Sequence, residues 1–200
     1  MRITAASSAQ VEPAVACLVE AFAEDPYMHY FFLGEPELRK GLVHEFFTCL
    51  MEARLALGMP VLVATRGDLV EGVVMGDDTQ RPDWLPSDAA KWAWFESAHE
   101  GLAERFAHVE ALKGRLEPPE PHYYLGVLGV APTAQGQGMG TALVDAFSRL
   151  SDADPLSAGT FLETATHGNL SFYQSCGFKV IGQDRVDAVT SLWLLFRAKH

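Results

Sequence analysis

The chain has 200 residues, with 15 Lys and Arg against 26 Asp and Glu, a formal net charge of −11. A field of that sign repels polyphosphate backbones and anionic lipid surfaces, and no run of Lys or Arg gathers the few cations locally, so neither nucleic acid nor membrane is an expected partner. At 48% hydrophobic and 20% charged residues the composition excludes disorder and points to one globular domain with a large core of its own.

Three cysteines, Cys17, Cys49 and Cys176, are odd in number and far apart. They form neither a disulfide framework nor a zinc ligand pair, so no metal is expected and a reducing cytoplasm is the simplest location. Along the chain, Val11, Val15, Leu18, Val19 and Phe22 recur at helical spacing, and Asp25-Pro26 stops that helix. The aromatic cluster Tyr27, Tyr30, Phe31 and Phe32 follows. Pro36 is placed as a first-turn residue, and an apolar face from Leu38 to Leu55 predicts a second helix ending at Gly58. Pro60 to Thr65 and Leu69 to Met75, separated by Arg66-Gly67-Asp68, predict a hairpin. A polar loop from Gly76 to Asp88 leads to a third helix, from about Ala89 to Lys113, whose apolar residues include Trp92, Phe95, Leu102 and Phe106. Trp92, Trp94 and Phe95 cannot share one face, so one of them is exposed or meets another subunit. Pro118, Pro119 and Pro121 break the chain before an apolar run from His122 to Val130. A glycine-rich turn and a helix carrying Leu143, Val144 and Phe147 come next. Thr160 to Thr164 reads as a strand, Asn169 to Ser175 as a helix closed by Gly177, and Phe178 to Gly182 and Val189 to Phe196 as strands. The order α-α-β-β-α-β-α-β-α-β-β is that of a mixed α/β protein.

The turn Gln135-Gly136-Gln137-Gly138-Met139-Gly140 follows a strand and opens a helix, where free N–H groups and the helix dipole favour an anion and glycines allow close approach. It is not a P-loop, because no Lys lies in it, and it fails G-x-G-x-x-G, because the last position falls on Thr141 or Leu143. It reads Q-x-x-G-x-G, after Leu128-Gly129-Val130-Ala131-Pro132. With Asn169-Leu170-Ser171-Phe172-Tyr173 and Gly177-Phe178 downstream, the chain resembles the GCN5-related N-acetyltransferases, and Phe161-Leu162-Glu163-Thr164 with Tyr123 and Tyr124 resembles their puromycin N-acetyltransferase branch.

That resemblance implies a mostly antiparallel, twisted sheet with splayed central strands flanked by helices. Residues 1–121 would hold the acceptor-side helices and 122–200 the acetyl-CoA-binding core. It implies acetyl-CoA as co-substrate. Leu128 and Val130 would bond the pantetheine arm through their main chain, and Gln135, Gly136, Gln137, Gly138, Met139, Gly140 and Thr141 would hold the pyrophosphate. Asn169 would bond the pantetheine or the loop closing over it. Acetyl transfer to an amine needs a base, stabilisation of the thioester oxyanion and a proton for the thiolate. The candidates are Glu163, the Val130 N–H and Tyr173; Glu163 could alternatively act only by electrostatics or binding. Tyr27, His29 and Tyr30 are candidate substrate contacts, with His122 and His167 possible neighbours of the acceptor pocket. The expected acceptor is a small-molecule amine, in keeping with the acidic charge. The alternatives are a protein N-terminus or lysine, or a non-catalytic acetyl-CoA-binding module. A homodimer is allowed by the resemblance.

Overall fold

The structure, a computed structural model, describes residues 1–199. Seven strands form one sheet: β1 (Arg2–Ala5), β2 (Val61–Arg66), β3 (Leu69–Asp77), β4 (Tyr123–Val130), β5 (Gly159–Thr164), β6 (Lys179–Arg185) and β7 (Ser191–Ala198). Their spatial order is β1-β2-β3-β4-β5-β7-β6. Every neighbouring pair is antiparallel except β4 and β5, which are parallel. The helices are α1 (Val11–Ala21), α2 (Pro26–Phe31), α3 (Pro36–Ala56), α4 (Pro86–Ser97), α5 (Leu102–Gly114), α6 (Met139–Ala153) and α7 (Asn169–Ser175).

The strand pleat sends neighbouring residues to opposite faces. At Gly129 a side chain would meet Leu18 and Ala21 of α1, whereas at Gly72, on the other face, it would meet Met139 and Leu143 of α6. The centre of the sheet is therefore covered by α1 and α3 on one side and α6 on the other. Burial on both faces explains why β3 is buried without a break from Gly72 to Gly76 rather than alternating.

The parallel ladder between β4 and β5 holds only Tyr123 opposite Thr160 and Tyr124 opposite Phe161. Beyond that point the two strands diverge, and β4 runs on to Val130 paired only with β3. The expected splay is thus present, and it opens the sheet where the glycine turn begins.

One expectation needs correction, and two elements carried no expectation. The helix expected from Ala89 to Lys113 is two helices, α4 and α5, turned at 98–101 with Gly101 left-handed at φ 68°. The aromatic cluster after Asp25 forms the short helix α2. The first strand, β1, is four residues long and exposed except at Ile3, too little apolar pattern to mark it. Phe95 is fully buried, Trp92 half-buried, and Trp94 is the exposed member at 63%.

Asp25 caps α2: its Oδ1 accepts from the N–H of Tyr27 at 2.8 Å and of Met28 at 3.4 Å. Burial pushes its carboxyl up to about 6. A folded-state value above the unfolded one (about 3.9) means that its ionisation weakens the fold as pH rises through the window between the two. Asp25→Ala is expected to cost about 1 kcal/mol in urea unfolding through the lost cap. Asp25→Asn keeps the acceptor without the charge and should match or exceed the parent at pH 7.

Candidate active site

Two cavities flank β4. The first, about 620 Å³, is a groove over the splay. Its walls are Leu128, Gly129 and Val130 of β4, the turn residues Gln135, Gly136, Gly138, Met139, Gly140 and Thr141, and Asn169, Phe172 and Tyr173 of α7. The turn between α1 and α2 closes it with Phe22, Glu24 and Asp25.

The register explains why this groove can hold an extended chain. Val130 stands opposite Gly72, and the Ala131 N–H donates to the Glu71 carbonyl at 2.9 Å. That bond makes Gly72 and Val130 a non-hydrogen-bonded pair, and by alternation Val74 and Leu128 are another. The main-chain groups of Leu128 and Val130 therefore point away from β3, into the splay. Gln135 Nε2 already donates to the Val130 carbonyl at 3.0 Å, so it is the Val130 N–H that remains for a ligand.

Gly136 and Gly138 take left-handed φ values of 72° and 78°. They turn the chain so that the first N–H groups of α6 face the groove, a suitable cradle for a pyrophosphate. Of the residues expected here, Gln137 alone turns its side chain away, accepting from Arg66 Nη2 at 2.8 Å and donating to the Thr133 carbonyl at 3.1 Å. Arg66 is thus a cation beside a turn that carries none itself. Asn169 Nδ2 lies 3.5 Å from Thr164 Oγ1. Tyr173 is buried, and burial followed by the Glu163 charge holds its phenol well above the usual value, so it is protonated at neutral pH.

The second cavity, about 580 Å³, lies across Phe22 from the groove, and that ring lines both. Glu163 lines it. Tyr124, Phe161 and Glu163 share one sheet face because Tyr124 pairs with Phe161 and Glu163 follows two residues later. The Tyr124 hydroxyl donates to Glu163 Oε1 at 2.7 Å. Among the described residues Oε2 has no hydrogen-bond partner, and it is shut from bulk solvent. Burial raises the Glu163 carboxyl, opposed by the Lys113 ammonium and the Tyr124 hydrogen bond. Lys113, only 7% exposed, places Nζ 4.2 Å from the centre of the Tyr124 ring and 2.8 Å from Glu110. Arg54 pairs with Asp77 at 3.0 Å, and Arg81 pairs with Glu117.

Of the three expected substrate contacts, only Tyr27 lines this cavity, with its hydroxyl buried and unpartnered. His29 does not: its ring is exposed, 3.8 Å from Glu24. Tyr30 does not either, packing instead against Phe31 with ring centres 5.5 Å apart. Each lies one helical position or more off the buried face of α2 that Met28 and Phe31 occupy. His122 is buried behind the cavity, with Nδ1 2.7 Å from the Glu120 carbonyl and Nε2 3.1 Å from Glu117. His167 stands outside against Trp193. Sequence reasoning missed Tyr124, Lys113, Arg54 and Asp77. A signal existed for Lys113: with Leu102, Phe106 and Val109 it falls at helical i, i+4, i+7, i+11 spacing, a lysine on a buried stripe.

Residues 102–180 match the family model described as an acetyltransferase (GNAT) domain. That match covers under half of the chain. It spans α5 through the start of β6 and so contains Lys113, Tyr124, the glycine turn, Glu163 and Tyr173. The whole chain has the fold of solved acetyltransferases. A Corynebacterium glutamicum protein described as histone acetyltransferase HPA2 and related acetyltransferase superposes with a TM-score of 0.71 at 22% identity, over 99% of this chain and 96% of that one. A Drosophila melanogaster polyamine N-acetyltransferase, which forms N-acetylagmatine, gives 0.65 at 14%, over 98% and 97%. The PaiA N-acetyltransferase of Thermoplasma acidophilum, solved with coenzyme A, gives 0.60 at 13%, over 98% of each. At such identities the likeness carries the fold and leaves the acceptor open. Among the described residues no group of three or more His, Cys, Asp or Glu could hold a metal, and no helix is long and apolar enough to cross a membrane.

Proposed function

We propose that the protein transfers an acetyl group from acetyl-CoA to the primary amine of a small molecule, by direct attack of the amine on the thioester. Residues 1–121 supply most of the acceptor cavity and 122–200 most of the acetyl-CoA groove. The observation that carries this reading is Glu163: a carboxylate with a bare oxygen and, among the described residues, no ion pair, in a cavity that shares the Phe22 wall with the groove. A volume of about 580 Å³ is that of a small-ligand pocket. The similarity of Phe161 to Thr164 and of Tyr123 and Tyr124 to the puromycin N-acetyltransferase branch supports the same reading.

Acetyl-CoA supplies the activated acetyl as a thioester. Glu163 takes the proton of the incoming ammonium, whose pKa of about 10 keeps it charged in water. The Val130 N–H donates to the thioester carbonyl oxygen as charge develops there, worth roughly 3 kcal/mol in good geometry. Tyr173 gives its phenolic proton to the departing sulfur, and the second proton lost by the attacking nitrogen restores the phenol. The glycine turn and the first turn of α6 hold the pyrophosphate, and the outward main chain of Leu128 pairs with the pantetheine like an added strand, leaving the Val130 N–H for the thioester.

Thermal unfolding with acetyl-CoA, CoA, NADH and ATP in parallel tests the cofactor. Saturation at 100 times Kd adds about 2.7 kcal/mol, or roughly 5 to 10 °C in Tm for a chain of this size. The shift is expected with the two CoA species alone. No shift with either, in folded protein, would remove the acetyl-CoA reading and the catalytic roles with it.

A further inference from the structure

We infer that the acceptor is an amine with a ring-bearing apolar body, its nitrogen at Glu163 and its ring on an aromatic wall across the same cavity. The inference rests on the acetyl-transfer reading above and adds what that reading leaves open.

The lining of the second cavity is divided. On the sheet side lie the charges, and each cation there already has an anion: Arg54 has Asp77, Lys113 has Glu110 and Arg81 has Glu117. Glu163 has the Tyr124 hydroxyl and feels the Lys113 charge, but among the described residues it forms no ion pair of its own. A cationic nitrogen entering this side has one carboxylate to answer it without breaking an existing pair. Desolvation makes that pairing strong inside and makes an unpaired cation there costly.

On the helix side lie rings from separate elements. Phe106 of α5 stacks on Trp92 of α4, with centroids 5.1 Å apart and planes at 26°, and on Phe46 of α3, at 5.7 Å and 22°. Phe31 of α2 lies 4.6 Å from Phe106, and Trp84 meets Trp92 edge-on at 5.5 Å. Rings serving only the core would be covered and away from the cavity, as Phe32 and Phe95 are. Phe46, Trp84 and Trp92 remain half-buried and line the cavity. Near-parallel ring faces present a flat surface on which another ring stacks with offset geometry. The volume of about 580 Å³ lies within the range of small-ligand pockets. A flexible alkyl diamine fills this shape poorly, since its methylenes offer no face to the rings and its second ammonium would have only Glu96 of α4 beyond them.

The test compares 2-phenylethylamine, agmatine and a tripeptide N-terminus as acceptors, by thiol release, with binding followed through tryptophan fluorescence in the presence of CoA. 2-Phenylethylamine is expected to bind, to quench the fluorescence and to give kcat/KM at least tenfold above the other two. Trp92→Leu should shrink that preference by raising KM for the aromatic amine more than for agmatine. Preference for agmatine or the peptide, or a preference unchanged in Trp92→Leu, overturns the inference. A CoA thermal shift without binding of 2-phenylethylamine also overturns it while leaving the acetyl-CoA reading intact. Absence of the CoA shift fails that reading first.

Discussion

Glu163→Gln is expected to lower kcat by roughly 10²- to 10⁴-fold at neutral pH, with the CoA-induced thermal shift retained. The amide preserves the size of the side chain and can still accept from the Tyr124 hydroxyl, so the fold and the neighbouring groove survive while the proton acceptor is lost. A kcat within about threefold of the parent would leave Glu163 a binding group and move the base elsewhere. The pH profile carries independent information. Burial raises the Glu163 carboxyl, so the acid limb of kcat/KM should lie above the ordinary carboxylate range. The groups acting on Glu163 come from several elements: Lys113 and Glu110 of α5, Tyr124 of β4, Tyr27 of α2 and Tyr173 of α7. Lys113 is the cation that most opposes the burial. Removing it disfavours the ionised carboxylate, so Lys113→Met should move the acid limb further toward alkaline pH. A limb that stays put, or moves toward acid, would show that the lysine does not hold Glu163 ionised.

The glycine turn and α7 were legible because their chemistry is local. Three glycines between a strand and a helix, and Asn169 to Ser175 closed by Gly177, carry their geometry within a few residues. The expected strand from His122 to Val130 begins at Tyr123, one residue inside that range. The split of α4 from α5 was hidden because Phe95 and Leu102 are seven residues apart, in helical phase across the turn, leaving Gly101 as the sole interruption. The acidic cavity was less legible for a different reason. Tyr124 and Glu163 are 39 positions apart and meet only because β4 and β5 pair in parallel over two residues. Lys113 reaches them from a helix whose placement depends on the turn at 98–101. Nor does any local pattern distinguish Tyr27 from His29 and Tyr30: only the rotation of α2, set by burial of Met28 and Phe31, decides which of the three enters the cavity.

Gly76→Ala should have the largest effect on stability, and its cause also bears on the site. A Cβ at Gly76 would stand 1.8 Å from the Tyr124 carbonyl oxygen and 2.8 Å from Phe147 Cζ. The phenylalanine ring could turn aside, but the carbonyl belongs to the paired strand and cannot. Gly76 pairs with Leu125 at a register shift that leaves Gly126 as an extra residue on β4, so the two backbones approach where the sheet is already bulged. Relief requires prising β3 from β4, an expected loss of about 3 kcal/mol or more and a Tm lower by roughly 6 to 12 °C. Gly41→Ala is the matched control: it lies exposed within α3, where a Cβ meets nothing within 4 Å. Replacing glycine in a helix interior should stabilise by about 0.5 to 1 kcal/mol. Two glycine-to-alanine changes of opposite sign cannot be explained by glycine entropy alone, so the contrast isolates the close approach to Tyr124. If both variants gained stability, the strands would be shown to part without penalty, and Tyr124 would lose the rigid backbone that aims its hydroxyl at Glu163.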